Sequence, residues 1–298
     1  DPALWLALPT GTVELDSING EKIDENTQVQ IKAGSIVSFS GHISDNDGGI
    51  YTSYQGLITG TLEDRLETIT CKNYDKADNA ITFKERTKTI YEGADSIKNG
   101  KFKMIIRIPR DISYSNDNAR ITFYSKSNTD MPECHGYADC FYLNGTDRLT
   151  EPDTLAPQVK TYIDSRFFTN GGTASSSPTL IADITDDFGI NIAQGSLGNN
   201  MELVIDNEHN SAIDMSQHFS FDFGCYNKGS ISYPMGEMSP GQHSLSLRVS
   251  DINGNTTTTN IDFYIPIKHS NSIDIVSTQN PVKTETRFIC TLPSPAEQ

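Results

Sequence analysis

Through the stretch KFKMIIRIP the apolar residues Phe102, Met104, Ile106 and Ile108 alternate with Lys101, Lys103 and Arg107. Successive side chains of a strand point to opposite faces, so this period of two predicts a half-buried strand. HSLSLRVSD repeats the pattern, with Leu245, Leu247 and Val249 on one face and Ser244, Ser246, Arg248 and Ser250 on the other. The runs SIVSFSGHIS (Val37, Phe39, Ile43), ARITFYS (Ile121, Phe123), TLIADI (Leu180, Ala182, Ile184), MELVID (Met201, Leu203, Ile205) and IDFYIPI (Ile261, Phe263, Ile265) read alike. No stretch sustains the apolar stripe of a helix, although EDRLETITCKNYDKA has room for one helical turn. The chain is therefore expected to be all-β.

Short alternating runs separated by Asn, Asp, Gly and Ser turns suit antiparallel sandwiches, each sheet burying one face and hydrating the other. The alternation breaks at GTDRLTEPDTLAPQV, which places a boundary near Asp153. Residues 154–267 then hold roughly 110 positions and about seven strand-like runs, the size of one immunoglobulin-like sandwich. Residues 11–153 form a second sandwich with an insertion around 60–100. Beyond Ile267, KHSNS reads as a linker, and IDIVS and TRFICTLP open a hairpin, so 268–298 is read as a linker and an incomplete element. The expected architecture is two tandem immunoglobulin-like β-sandwiches and a partial C-terminal hairpin.

Charge narrows the range of partners. Across 298 residues, 39 Asp and Glu outweigh 23 Lys and Arg, for a formal charge of −16. Such a field repels phosphate backbones and anionic lipid surfaces, which argues against nucleic acid and direct membrane contact. No apolar run approaches the roughly 20 residues of a spanning helix, so direct membrane insertion is not expected. The first residues, DPALWLALP, place Leu4, Trp5, Leu6 and Leu8 in one apolar run that includes the single tryptophan. These four are expected to pack against an upstream domain.

Candidate chemistry is sparse. Three Asp-rich turns hold weak calcium candidates, SDNDGGI (Asp45, Asp47), TDDFGIN (Asp186, Asp187) and SDINGNT (Asp251, with Asn253 and Asn255). Calcium gathers six to eight oxygens at about 2.3–2.6 Å, which such side chains can begin to supply. Asp, Asn and Gly also dominate ordinary β-turns, and the turn reading is favoured over calcium at each loop. Among five cysteines, Cys134 and Cys140 are spaced for a short-loop disulfide or stand as two thiols, and no CxxC pair suggests zinc. ECHGYADC joins Cys134 to His135, but neighbouring side chains diverge, so a nucleophile–base pair is not expected there. His42, His209, His218, His243 and His269 lack HxH or HExxH spacing. Phosphate loops and nucleophile elbows are missing, and no catalytic residue or cofactor is assigned.

Read in order, the segments SINGEKI, VSFSGHISD, YQGLITGTLEDR, IYEGADSIKNGKFKMIIRIPRDISYSNDNARITFYS, YLNGTD and GQHSLSLRVSDINGNTTT make a series. That series resembles the region following the gingipain-like cysteine peptidase domain in the PorU family of type IX secretion system sortases of Bacteroidetes. DPALWLALP is similar to the segment with which the family's peptidase domain ends, here without its leading glycine, so 1–10 is expected to finish that domain. QNPVKTETRFICTLP is similar to the start of a type IX sorting domain, at Asn280, Pro281, Thr286, Phe288, Leu292 and Pro293.

The resemblance implies a parent protein whose upstream Cys/His domain cleaves sorting domains from secreted cargo at the cell surface. It implies attachment to the outer membrane through a PorV-like β-barrel, with the peptidase domain and cargo sorting domains as further partners. Cys134 and His135 do not match the family's catalytic motif. The expected function is a non-catalytic β-sandwich scaffold of a surface sortase. The rival is a free-standing adhesin or carbohydrate-binding module using Tyr51, Tyr54 and Tyr142 as a sugar-stacking face.

Overall fold

The computed structural model describes residues 11–24, 26–45, 47–72, 80–148, 153–193, 201–267, 274–277 and 287–291. Leu4, Trp5, Leu6 and Leu8 lie outside the described residues. The chain divides into two compact units, the first containing residues 11–148 and Asp153 together with 192–193 and Phe221–Tyr226.

The first unit holds strands β1 (Gly11–Ile18), β2 (Glu21–Lys22), β3 (Val29–Ala33), β4 (Ile36–Ser44), β5 (Gly56–Glu63) and β6 (Glu67–Thr70). It continues with β7 (Thr82–Glu85), β8 (Thr89–Ile97), β9 (Lys101–Arg107), β10 (Arg120–Ser127), β11 (Cys134–Ala138) and β12 (Phe141–Thr146). Seven of them line up as β8-β5-β10-β11-β1-β4-β9, with β2 paired to β1. The outermost strands of that order, β8 and β9, are consecutive in the chain and joined by Asn99 and Gly100, both at positive φ. Asn-Gly is the pair that tolerates this turn, and a turn joining the two ends of a sheet makes it curl round its own core. Phe102 of β9 packs on Phe123 of β10, ring centroids 5.2 Å apart.

The alternation seen in the sequence matches the observed burial. Phe102, Met104, Ile106 and Ile108 are buried, as are Val37, Phe39, Ile43, Ile121 and Phe123. The parallel ribbon of β3 and β12 adds Ile31, Ala33, Phe141 and Leu143, with Phe141 set 5.5 Å from Phe39. This pairing and that of β1 with β11 are parallel, where sequence reading expected antiparallel neighbours. Within the segment with room for a helical turn, Glu67–Thr70 is strand β6, whose Ile69 faces Phe83 of β7, and its residues 73–77 lie outside the described residues. Within 60–100, β8 belongs to the main sheet, and β6–β7 forms a separate two-stranded hairpin.

The second unit holds β13 (Gln158–Ile163), β14 (Thr179–Thr185), β15 (Glu202–Ile205) and β16 (Ile213–Asp214), then β17 (Phe219–Phe221, whose last residue belongs to the first unit), β18 (Lys228–Pro234), β19 (Gly241–Ser250) and β20 (Thr256–Ile265). They form two four-stranded sheets, β13-β14-β18-β17 and β16-β15-β19-β20. This is the immunoglobulin order A-B-E-D with C-F-G, extended by one strand beside C. Leu180, Ala182, Ile184 and Ile231 are buried on one sheet, and Leu203, Leu245, Leu247, Val249, Ile261, Phe263 and Ile265 on the other. A further hairpin pairs β21 (Asp274–Ser277) with β22 (Phe288–Thr291). Among the described residues, no helix is long and apolar enough to cross a membrane.

Candidate functional site

The Asp-rich turns are built by their own carboxylates. Asp45, on the loop after β4, accepts the amides of Asp47 at 3.0 Å and Gly49 at 2.7 Å through Oδ1, and both Asp45 and Asp47 are exposed. Asp186, after β14, accepts the amides of Phe188 (2.8 Å) and Gly189 (2.7 Å). Asp251, in the β19–β20 turn, accepts the Asn253 and Asn255 amides at 2.8 Å through Oδ1 and the Asn255 side chain at 2.7 Å through Oδ2. Such capping is what favours Asp at turns.

The fold then brings two of the three turns together. Asn191 donates to the Ser250 carbonyl at 3.1 Å and Ile252 to that of Gly189 at 3.1 Å, which zips the loop after β14 against the β19–β20 turn. Asp186 and Asp251 end buried, 8% and 0% exposed, with carboxylate oxygens within 4.8 Å of each other. Asp187 points outward. Within the second unit the fold thus brings Asp186 and Asp251 together, and each already clamps a turn.

Cys134 and Cys140 do not form the disulfide left open by their spacing, since both are free. Cys134 begins β11 and Cys140 lies two residues beyond its end at Ala138, which four strand steps of about 3.3 Å put roughly 13 Å from Cys134. Cys134 is buried beside Gly11, and its Sγ donates to the Pro132 carbonyl at 3.4 Å. His135 is exposed, since alternation sends it to the opposite face. Burial pushes the Cys140 thiol up, reinforced by Asp139 against a backbone hydrogen bond that lowers it, so it is protonated at neutral pH.

A cleft of about 460 Å³ lies over Cys134, lined also by Gly11, Ser44, Asp45, Asp47 and Tyr51. Behind Ser44 is a polar network that spacing did not reveal. His42 Nδ1 lies 2.9 Å from Asp16 Oδ1, and His42 Nε2 lies 3.4 Å from Ser44 Oγ. The order serine, histidine, aspartate suggests a nucleophile with its base. The hydrogen bonds argue otherwise, because the Ser44 hydroxyl donates to Glu14 and its contact with the imidazole is the long one. The network ties β1 to β4 across their outer face, where Glu14 pairs with His42 and Thr12 with Ser44. Its sequence signal is the polar parity of ELD and GHIS, and only the strand register joins them.

The tyrosines of the carbohydrate reading are placed differently from expectation. Tyr54 is fully buried, its hydroxyl 3.2 Å from both Ser125 Oγ and the Pro132 carbonyl, and burial pushes its pKa up to about 12. Tyr51 and Tyr142 are half-buried, Tyr51 packing 6.0 Å from Tyr54. Exposed rings occur instead on the outer face of β10 and β11. Tyr124 is 40% exposed and Tyr137 is 62% exposed.

No known protein family matches the chain, and no curated protein does. Among solved structures, dimeric latent PorU from Porphyromonas gingivalis overlays with a TM-score of 0.53 at 23% identity, covering 97% of this chain and 27% of that one. The fold is similar to that of part of PorU. The chain spans about a quarter of that protein's length, and at this identity the likeness is one of fold. The Ig1-2 module of the Drosophila receptor protein tyrosine phosphatase DLAR overlays loosely, at 10% identity and TM-score 0.21 over 86% of this chain and 100% of that one. A bacterial ice-binding adhesin is as distant, at 11% identity and TM-score 0.22, covering 87% and 66%.

Proposed function

We propose that this chain is the non-catalytic β-sandwich scaffold of a cell-surface type IX sortase. In this reading it carries a gingipain-like cysteine peptidase domain, spaces it from a PorV-like outer-membrane β-barrel and helps present the sorting domains of cargo. The observation that carries the reading is the likeness in fold to a stretch of PorU over nearly the whole chain. The His42 network, which ties β1 to β4 across their outer face, suits the rigid sheets that a scaffold needs.

Two measurements test the proposal. A sorting-domain peptide incubated with the chain alone should remain intact, and the same peptide should be cleaved when the peptidase-bearing parent is supplied. Cleavage by the isolated chain, lost on Cys134→Ala, would refute the scaffold reading. The second is co-purification of the parent with a PorV-like barrel, which should fall when residues 11–267, the whole of both sandwiches, are deleted.

A further inference from the structure

His243 stands where the strand pattern asks for an apolar side chain. Its parity on β19 is that of Leu245, Leu247 and Val249, and like them it is buried. Its ring stacks on that of Phe263 in β20, centroids 5.5 Å apart and planes 27° from parallel. A buried imidazole in such a line is costly unless its nitrogens are bonded. Both are, and both to oxygens: Nδ1 lies 2.8 Å from Asp206 Oδ2, and Nε2 lies 2.8 Å from the Ser239 carbonyl.

A carboxylate and a carbonyl only accept, whereas a neutral imidazole has one N–H and one lone pair. The two contacts together are therefore satisfied by the imidazolium alone. Once the ring is neutral, a lone pair faces an acceptor oxygen at hydrogen-bond distance, and one contact must yield. The bond to the carboxylate is the stronger of the two. Asp206 is also fixed, its other oxygen accepting the Ser244 amide at 2.9 Å and its own amide donating to the Ser244 carbonyl at 2.8 Å. The Ser239 carbonyl is thus the partner that leaves. Of the charged groups on the elements round the ring, Asp206 touches it, while Glu208, Glu237 and Asp262 are exposed. Burial opposes the charged ring, but the Ser239 carbonyl and Asp206 outweigh it and raise the pKa.

Ser239 lies in the connection between β18 and β19. Gly236 and Gly241 bracket that connection at φ of +77° and +141°, and a Cβ on either would meet nothing within 4 Å. The chain between them can turn about two residues of wide backbone freedom. Outside the bracket, the Met235 amide donates to the Pro178 carbonyl at 2.9 Å; inside it, the Met238 amide donates to the Ser176 carbonyl at 3.0 Å. Glu237, Ser239 and Pro240 are exposed, so the His243 and Met238 bonds tie an otherwise solvated segment to the sandwich. We propose that His243 is a proton-operated latch, which holds residues 236–241 closed as the imidazolium and lets them open when the ring loses its proton. The segment is closed at low pH and opens as pH rises through the folded value.

Two NMR measurements on the full ¹⁵N-labelled chain test this. Imidazole ¹H–¹⁵N spectra should show both His243 ring nitrogens protonated at pH 5.5. Amide exchange, corrected for its intrinsic pH dependence, should quicken at Met238 by about tenfold or more between pH 5.5 and pH 8.5, the worth of one hydrogen bond from a charged donor. Met235, outside the glycine bracket, should change little. His243→Phe should leave Met238 fast at both pH values, and Asp206→Asn, which keeps the stacked ring, should move the change to lower pH. The proposal is overturned by a bare ring nitrogen at pH 5.5, by a Met238 rate that does not change, or by Met235 quickening in step with Met238, all read on the parent chain. Survival of the pH dependence in His243→Phe overturns it as well.

Discussion

Replacing Asp251 by alanine separates the clamp and cation roles of its carboxylate. The side chain is fully buried and accepts three hydrogen bonds of 2.7–2.8 Å, two from turn amides and one from the Asn255 side chain. A bond to a charged acceptor contributes about 1.5–3 kcal/mol. Three bonds to one carboxylate are not additive, and the freed amides partly regain water, so the expected loss is about 3–4 kcal/mol. For a unit of roughly 110 residues, each kcal/mol moves the melting temperature by about 3–5 °C, giving a fall of about 9–20 °C in the second unit's transition.

Asp251→Asn keeps neutral acceptor oxygen and should lose about half as much. Differential scanning calorimetry in EGTA and in calcium chloride completes the test. A cation present at a hundred times its Kd would add about 2.7 kcal/mol, whereas a pure clamp leaves the two scans superimposed. A calcium-dependent rise that vanishes in Asp251→Ala and Asp186→Ala, or a fall of under about 3 °C in EGTA, would refute the clamp argument.

His243 is buried, with Nδ1 2.8 Å from Asp206 and Nε2 2.8 Å from the Ser239 carbonyl. Burial opposes its protonation, but the Ser239 carbonyl and the Asp206 carboxylate outweigh it and hold the pKa above the ordinary value. Its contribution is therefore complete below about 6.5, the unfolded value, and lost as pH rises through the folded value; Asp206→Asn should cost more stability at pH 5.5 than at pH 8.5 in urea titrations. A Cβ on Gly41 would run into the Glu14 carbonyl oxygen and the Phe102 ring, so Gly41→Ala should cost about 1–3 kcal/mol by chemical denaturation. Phe221 stacks on Tyr91 with ring centroids 4.9 Å apart; Phe221→Ala should cost about 2 kcal/mol and raise hydrogen exchange in β8, against about 1 kcal/mol for Tyr91→Phe.

Strands were legible in the sequence because their side-chain period is local. Met104 and Leu247 are buried where alternation puts them, and the turns at Asp45, Asp186 and Asp251 follow from Asx capping, which needs only a few neighbouring residues. What the sequence did not disclose depends on pairing. Nothing in ELD or GHIS says that Glu14 will face His42, and nothing in the two turns says that Asp186 will approach Asp251. Tyr54 and Tyr124 are alike as tyrosines in strand-rich segments, yet one is buried and the other half in water. The exposure of Tyr124 follows from the parity of Ile121 and Phe123, whereas Tyr54 lies in the turn before β5, where alternation gives no signal. ETIT became strand β6 because two β-branched threonines and an isoleucine favour extended backbone over a helical turn.

The segment Phe221–Tyr226, which belongs to the first unit, sets an order of events during synthesis. The Tyr91 hydroxyl donates to the Cys225 carbonyl across 134 positions of chain, and Gly224 donates to the Ala94 carbonyl. At about 5–20 residues per second, a ribosome needs roughly 7–27 s to cover that interval. During that time β8 has left the ribosome without the residues that cover Tyr91. The amino-terminal sheet therefore cannot complete its packing as an independent nascent domain, and it waits with an open aromatic edge until most of the second unit has been made.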